Sequence, residues 1–260
     1  MSLSIQGFNI LLSLIVVTAA MRNRSPSLCA LLIAMHALLV PISPLFLVFP
    51  VSVVLGKPLL ALSTKTVLWY IALHGASFIS TGGSPSYFYS TVVSPLMVST
   101  DTLPNFGLTW NIFTVMFERN LPVFQIFFVT FLLLIFVPTY IRFSTIQYSQ
   151  ETKERYLVLM ICTILLFQHY PTALDFSLVI ALILAANEER YHNMASRFFP
   201  LVMFAVMVLS SVMSVVYVER NQGTPSFLFN INAVSVIAGA VSITHSLKVA
   251  RLDGYTKKQE

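Results

Sequence analysis

Charged residues are scarce in this chain of 260 residues, of which Lys, Arg, Asp and Glu together make up 10%. A soluble domain carries about 25% charged residues. This chain is instead 57% hydrophobic, with a mean hydropathy of +0.82. A soluble fold of this length cannot bury so much apolar surface and still present a polar surface to water. The composition excludes a soluble globular domain and predicts an all-α polytopic helical membrane protein, a single transmembrane domain over 1–260.

Cysteine is also nearly missing, because only Cys29 and Cys162 occur and each falls inside an apolar run. Two such residues cannot build a disulfide framework, and no spacing of a metal-ligand set is present. Neither cysteine has a histidine placed to activate it at a plausible depth. We therefore expect no cysteine nucleophile, no bound metal and no other cofactor.

The first apolar run, 1–21, lacks a preceding Lys or Arg. A cleavable signal peptide needs such a basic segment, so we interpret this run as the first membrane span. The C-terminal end of the chain is polar. A protein that itself receives a GPI anchor has an apolar C-terminal tail, so we do not expect this chain to receive one.

Apolar periodicity predicts about nine helices. Four of them are short for a membrane crossing of about 20 residues, and these form two pairs that turn at Pro41 or Pro44 and at Pro171. Proline breaks a helix, so we predict two short hairpins, with one kinked span per pair as the alternative. The predicted helices are 7–21, 28–40, 43–55, 66–80, 121–142, 155–169, 171–187, 198–218 and 226–248.

Basic residues are distributed asymmetrically between the two sides of this arrangement. All of the 15 Lys and Arg residues except Arg119 and Arg220 fall in segments 22–27, 56–65, 142–155, 187–197 and from 248 onward. Positive residues mark the cytoplasmic side. The pattern predicts a lumenal N-terminus, a lumenal loop over 81–120 and a cytosolic tail over 249–260. Topology thus explains the pI of about 9.3, and no nucleic-acid binding is predicted.

The predicted cytosolic tail ends with Lys257 and Lys258 at the fourth and third positions from the end. This pair resembles the dilysine signal that retrieves membrane proteins to the endoplasmic reticulum. We therefore expect the protein in the membrane of the endoplasmic reticulum.

The lumenal loop changes character along its length. Its first part, "TGGSPSYFYSTVVSP", has the composition of an irregular segment, whereas the stretch "DTLPNFGLTWNIFTVMFE" has helical periodicity. An amphipathic helix over 105–119 in the lumenal headgroup layer is predicted, serving as an interfacial anchor or as a wall of a site for a lipid-linked glycan. Its aromatic stripe is Phe106, Trp110, Phe113 and Phe117, and its polar wedge is Asn111, Thr114 and Glu118.

Acidic residues on the lumenal side are few and far apart, namely Asp101, Glu118 and Glu219, and no Asp-x-Asp pair occurs. This argues against a catalytic acid pair. Asp175 lies about one turn past the tip of the second hairpin, near His169 and Tyr170. A charge inside a membrane is expensive and usually functional. Asp175 is expected either to contact a ligand or to cap the broken helix or pair with His169.

Four other polar residues lie in or near the predicted spans. Asn230 and Asn232 lie near the lumenal start of the last span, where contact with lipid headgroups and packing between helices are both open. His74 and His245 are expected to form hydrogen bonds between helices.

Two blocks of this sequence resemble the PIG-U family, a multi-pass subunit of the GPI transamidase complex. The resemblance covers about 40–260 and indicates a shortened, divergent member that lacks N-terminal spans. A weaker third block is "SFLFNINAVSVIAGAVSITHSL", where the family's Asn–Gly step is not clearly kept. The matching positions of the two blocks are Asp101, Pro104, Asn105, Gly107, Leu108, Trp110, Phe113, Met116, Phe117 and Glu118, followed by Tyr170, Pro171, Thr172 and Asp175.

The resemblance implies a non-catalytic subunit in the endoplasmic reticulum that helps bind and present the GPI lipid for attachment to proproteins. It implies a fold related to the lipid-linked mannosyltransferases, and partners that include a cysteine-protease-like catalytic subunit, the GPI glycolipid and membrane lipids. The alternatives are a mannosyltransferase that uses dolichol-phosphate-mannose and a transporter. The residues expected to contact the GPI lipid are Asn105, Trp110, Asn111, Phe113, Phe117, Glu118, His169, Tyr170, Asp175, Asn230 and Asn232.

Overall fold

A computed structural model describes residues 2–22, 25–39, 43–93, 121–168, 171–186, 194–218, 220 and 225–256. Within these ranges the regular structure is helical throughout, which confirms the all-α prediction. A 3₁₀ helix, Ser43–Leu47, precedes α3, and a π-helical turn, Tyr89–Val93, follows α5. The α-helices are α1 Ser2–Met21, α2 Pro26–Leu39, α3 Val48–Leu55, α4 Leu59–Ser80, α5 Pro85–Phe88, α6 Leu121–Thr145, α7 Gln150–Phe167, α8 Ala173–Ala186, α9 Met194–Val218 and α10 Pro225–Thr256.

Glycines in the left-handed region end two of these helices. After α3, Gly56 has φ +59°, and its N–H donates to the carbonyl of Val53 while the N–H of Lys57 donates to that of Ser52. The same arrangement, a Schellman motif, ends α4 at Gly82 and Gly83. It satisfies carbonyl groups that a helix end otherwise leaves without partners.

Helices α4 and α10 extend furthest beyond their predicted limits, and α5 was not predicted. Helix α4 begins at Leu59, so most of the predicted loop 56–65 is helical, and Lys65 projects from its exposed surface. The stretch expected to be irregular contains α5 and the π-helical turn, because Pro85 at the first helical position favours a helix start. Helix α10 continues to Thr256, through much of the predicted tail.

The chain forms two compact units, and the first contains the described residues up to 93 together with 123–157. Here α2 contacts α1, the 3₁₀ helix, α3 and α4. Contact of α2 with α3 as well as with the intervening 3₁₀ helix agrees with the predicted hairpin, while one kinked span stays the alternative for this pair. On α6, Phe136 packs against Phe46 and Phe49, with ring centroids 5.8 and 6.3 Å away.

The second unit contains the described residues from 158 onward, and its α7–α8 pair is a true hairpin. Cys162 Sγ in α7 lies 4.0 Å from the carbonyl oxygen of Val179 in α8. A continuous helix would separate these positions by about 25 Å. The alternative of one kinked span is therefore wrong for this pair.

The hairpin helices are also short. Helices α2 and α8 each have 14 residues, which gives each a length of about 21 Å, less than the roughly 30 Å of a bilayer core. This confirms the prediction that these segments are too short to cross alone.

Helices α9 and α10 contain the two segments of the described chain that are long and apolar enough to cross a membrane, Phe198–Tyr217 and Leu228–Ala250. Large apolar side chains of α9 point outward, among them Leu201, which is 65% exposed. Such a surface is suited to lipid rather than to water. The structure thus agrees with a helical membrane protein, while crossing by the other predicted spans stays a prediction.

Small residues allow α10 to approach its neighbours closely. A Cβ atom built on Gly239 would lie 2.9 Å from Leu166 Cδ1 of α7 and 3.1 Å from Met203 Cε of α9. Close approach at small residues is the usual way in which membrane helices pack, because lipid provides little hydrophobic drive for their association.

Candidate functional site

Most of the residues expected to contact the GPI lipid lie outside the described residues. The predicted retrieval signal, Lys257 and Lys258, lies outside the described residues as well. The lipid-contact residues that lie outside them are His169, Tyr170 and six residues of the predicted interfacial helix 105–119, namely Asn105, Trp110, Asn111, Phe113, Phe117 and Glu118. The structure places the remaining three, Asp175, Asn230 and Asn232, in the second unit.

Asp175 lies in the first turn of α8, directly after the hairpin turn. Its Oδ2 atom accepts hydrogen bonds from the backbone N–H and the hydroxyl of Thr172, each at 2.7 Å. In return, Thr172 Oγ1 accepts a hydrogen bond from the N–H of Asp175 at 3.4 Å. This reciprocal pairing is a capping box, so the predicted capping role of Asp175 is confirmed.

The cap uses only one oxygen of this carboxylate. Asp175 is 1% exposed, and its Oδ1 atom accepts no hydrogen bond from any described residue. The side chain of Gln168, just before the turn, is buried as well and interacts favourably with this carboxylate, but no hydrogen bond to Oδ1 is formed. A buried acceptor without a donor costs about 1–3 kcal/mol. Asp175 Oδ1 is therefore able to accept a hydrogen bond from a bound ligand.

The two asparagines of α10 have different environments. Asn232 is 1% exposed, and its Oδ1 atom accepts a hydrogen bond from the hydroxyl of Ser210, which joins α10 to α9. Asn230 is exposed, because two residues along a helix point in nearly opposite directions. Asn232 thus takes part in helix packing, while contact of Asn230 with headgroups stays a prediction.

Helix α8, whose first turn contains Asp175, packs against the two longest apolar helices of this unit. It contacts both α9 and α10, and Ser177 Oγ lies 3.6 Å from Met207 Sδ of α9. The carboxylate therefore lies at the start of a short helix whose body is held by two candidate spans.

The environment of His74 in α4 differs in part from the expected hydrogen bond between helices. Its ring packs edge-on against Tyr70 at 4.3 Å between centroids, and against Phe88 at 6.1 Å. Its Nδ1 atom forms no hydrogen bond with any described residue. The predicted hydrogen bond between helices is therefore not formed by this nitrogen within the described residues, and it stays a prediction for the other ring nitrogen.

One polar cavity was not predicted from the sequence. It has a volume of about 280 Å³ and lies in the first unit. The charge pattern could have indicated this cavity, because Lys57 and Lys153 both fall in segments that it assigns to the same side of the membrane. Its lining includes Ser52, Val53, Gly56, Lys57, Tyr140, Phe143, Ser144, Ile146, Gln147 and Lys153.

Comparison with protein families gives a match over most of the chain. The model of the family described as GPI transamidase subunit PIG-U matches residues 1–235. The match includes α1 and α2, so the expectation that the resemblance starts near residue 40 was wrong. A comparison with curated proteins finds no match to this chain.

Proposed function

This chain belongs to the PIG-U family of GPI transamidase subunits, and from this premise we propose that it is a non-catalytic subunit that binds the GPI lipid. In this role it presents the anchor for attachment to the C-terminus of proproteins in the endoplasmic reticulum. A separate cysteine-protease-like subunit of the complex carries out the cleavage.

The observation that supports lipid binding best is the buried Asp175 Oδ1, which accepts no hydrogen bond from the described residues. A carboxylate within a membrane helix is costly unless it has partners, and capping occupies only Oδ2. The GPI anchor ends in an ethanolamine whose ammonium group donates hydrogen bonds. Such a group would satisfy Oδ1 and pair its positive charge with the carboxylate.

The proposal of a non-catalytic role is supported by the position of the two thiols. Cys29 and Cys162 are both fully buried in helices. A nucleophilic cysteine needs a thiolate that the substrate can reach. Neither side chain meets that requirement.

The rest of the proposed lipid site comes from sequence. The aromatic side chains Trp110, Phe113 and Phe117 would cover acyl chains, while Asn105, Asn111 and Glu118 would face the glycan. His169 and Tyr170 precede Pro171 at the hairpin turn, close in sequence to Asp175, and Asn230 is proposed to contact headgroups at the start of α10.

Replacing Asp175 with Asn within the complete complex tests this proposal. The amide oxygen can still accept the hydrogen bonds from Thr172, so the fold should persist while the charge that attracts ammonium is lost. We expect normal subunit stoichiometry and at least about a tenfold loss of co-purified GPI, since charged hydrogen bonds contribute about 1.5–3 kcal/mol.

The matched control is Ser177→Ala, an exposed position on the same helix that should leave GPI occupancy unchanged. Normal occupancy in the Asp175→Asn complex would exclude Asp175 from lipid binding. Loss of subunits from that complex would show instead that Asp175 supports assembly.

A further inference from the structure

The unpredicted cavity of the first unit is built where three helices end or begin. The C-terminal end of α3 supplies Ser52, Val53 and the Gly56–Lys57 turn, and the C-terminal part of α6 supplies Tyr140, Phe143 and Ser144. The connection to α7 and its first turn supply Ile146, Gln147 and Lys153. Two segments that the charge pattern assigns to the cytosolic side, 56–65 and 142–155, thus meet at one cavity.

The two lysines of this cavity lack acidic partners. Neither Lys57 nor Lys153 forms an ion pair with a described residue, and no Asp or Glu lines the cavity. The nearby acids of α7 are engaged elsewhere, because Glu151 pairs with Arg155 and Glu154 accepts a hydrogen bond from Gln150. Two lysine side chains that line one cavity repel each other, and a bound anion would relieve this repulsion.

Helix dipoles do not cancel this positive charge. The C-terminal ends of α3 and α6 each contribute the equivalent of about half a negative charge, and the N-terminal end of α7 contributes about half a positive charge. Together they amount to roughly half a negative charge against two full positive charges. The cavity is therefore a net positive site.

Packing holds the walls of the cavity in place. The ring of Phe143 stacks on Tyr156, with centroids 4.3 Å apart and planes 9° from parallel, and contacts Tyr148 at 5.0 Å. Phe49 packs edge-on against Tyr140 at 5.6 Å. Rigid walls lower the cost of ordering a site when a ligand binds.

The lining also mixes polar donors with apolar surface. Tyr140, Ser144 and Gln147 add hydroxyl and amide groups beside the lysines, while Val53 and Ile146 are apolar. A phosphate needs charged and neutral donors, and the glycerol backbone of a lipid needs apolar contact. This combination favours a lipid headgroup over a fully hydrated soluble anion.

We propose that this cavity binds the phosphate-bearing headgroup of an anionic phospholipid of the cytosolic leaflet. That leaflet is rich in anionic lipids, which attract basic residues at the membrane surface. The site shares no residue with the proposed GPI site, whose described residues belong to the other unit and come from segments that the charge pattern assigns to the lumenal side. Failure of one proposal leaves the other intact.

Native mass spectrometry of the delipidated full chain tests the proposal, with phosphatidylserine as probe and phosphatidylcholine as the zwitterionic reference. We expect preferential binding of phosphatidylserine. The double variant Lys57→Gln/Lys153→Gln should bind it about thirtyfold more weakly, since each lysine near an anionic headgroup contributes about a fivefold effect. The matched control Lys65→Gln, an exposed lysine of α4 outside the cavity, should retain the preference.

The variant Lys57→Arg/Lys153→Arg keeps both charges and should also retain the preference, and its loss there would overturn the charge-based argument. Equal binding of both lipids by the wild-type chain would exclude the proposed specificity. Full competition by millimolar inorganic phosphate would identify a site for soluble anions and would also overturn the lipid assignment.

Discussion

Asp175 and Thr172 hold each other at the start of α8, with Asp175 Oδ2 2.7 Å from both the backbone nitrogen and the hydroxyl oxygen of Thr172. This relationship fixes where the hairpin turn ends and the short helix begins. It also decides which carboxylate oxygen remains for a ligand. The structural and the proposed binding roles of Asp175 are therefore separable by mutation.

Replacing Thr172 with Ala should destabilise the chain by about 1 kcal/mol, because the helix loses its N-cap side chain. Thr172→Ser keeps the hydroxyl and should remain close to the wild type. Thermal unfolding in detergent measures the difference between the two variants. Equal melting temperatures would mean that the cap contributes nothing to stability.

Replacing Gly239 with Ala should destabilise the chain by about 1–3 kcal/mol, because the added methyl overpacks the contact with Leu166 and Met203. The matched control is Gly75→Ala in α4, where the added Cβ would have no neighbour within 4 Å among the described residues, apart from the backbone of its own helix. That change should be neutral or stabilising, since Ala is the better helix former. The prediction fails if both variants melt alike.

The hydrogen bond between Ser210 and Asn232 should contribute a coupling of about 0.6 kcal/mol and at most about 1.7 kcal/mol, the average and the maximum found for such bonds between membrane helices. A double-mutant cycle with Ser210→Ala and Asn232→Ala measures it. Strictly additive effects of the two changes would show that the bond between α9 and α10 is energetically silent.

Trp110→Ala and Glu118→Gln should lower the amount of GPI co-purified with an otherwise intact complex. Burial of an indole ring contributes roughly 1.5–3 kcal/mol, so we expect about a tenfold or greater loss for Trp110→Ala. Quantification of lipid and of subunit stoichiometry in the same sample checks this. Normal occupancy would reduce the predicted helix to an interfacial anchor, and dissociation would identify a contact between subunits.

The orientation predicted from charge is open to a direct test. A glycosylation acceptor inserted near Ser84, an exposed position before α5, should be modified in the lumen. An acceptor placed after Tyr255 should remain unmodified. The reverse pattern would invert the topology and move the phospholipid cavity to the other leaflet.

Several features of this protein follow from the sequence alone. Scarce charge and long apolar runs dictate membrane helices, since no soluble fold can bury so much apolar surface. Proline spacing predicts both hairpins because proline removes a backbone donor wherever it stands. The family also follows from sequence, since residues 1–235 match it. These properties are local or compositional, so they need no knowledge of which helix packs on which.

Only the tertiary structure decided which distant residues meet. Asn230 and Asn232 have the same side chain, yet only Asn232 is buried against Ser210, because helix packing buries one face and leaves the other exposed. Lys57 and Lys153 line one cavity although many residues separate them in the chain. Gly239 matters because Leu166 and Met203 lie against it. Such pairings depend on the packing of whole helices, which the periodicity within each helix does not specify.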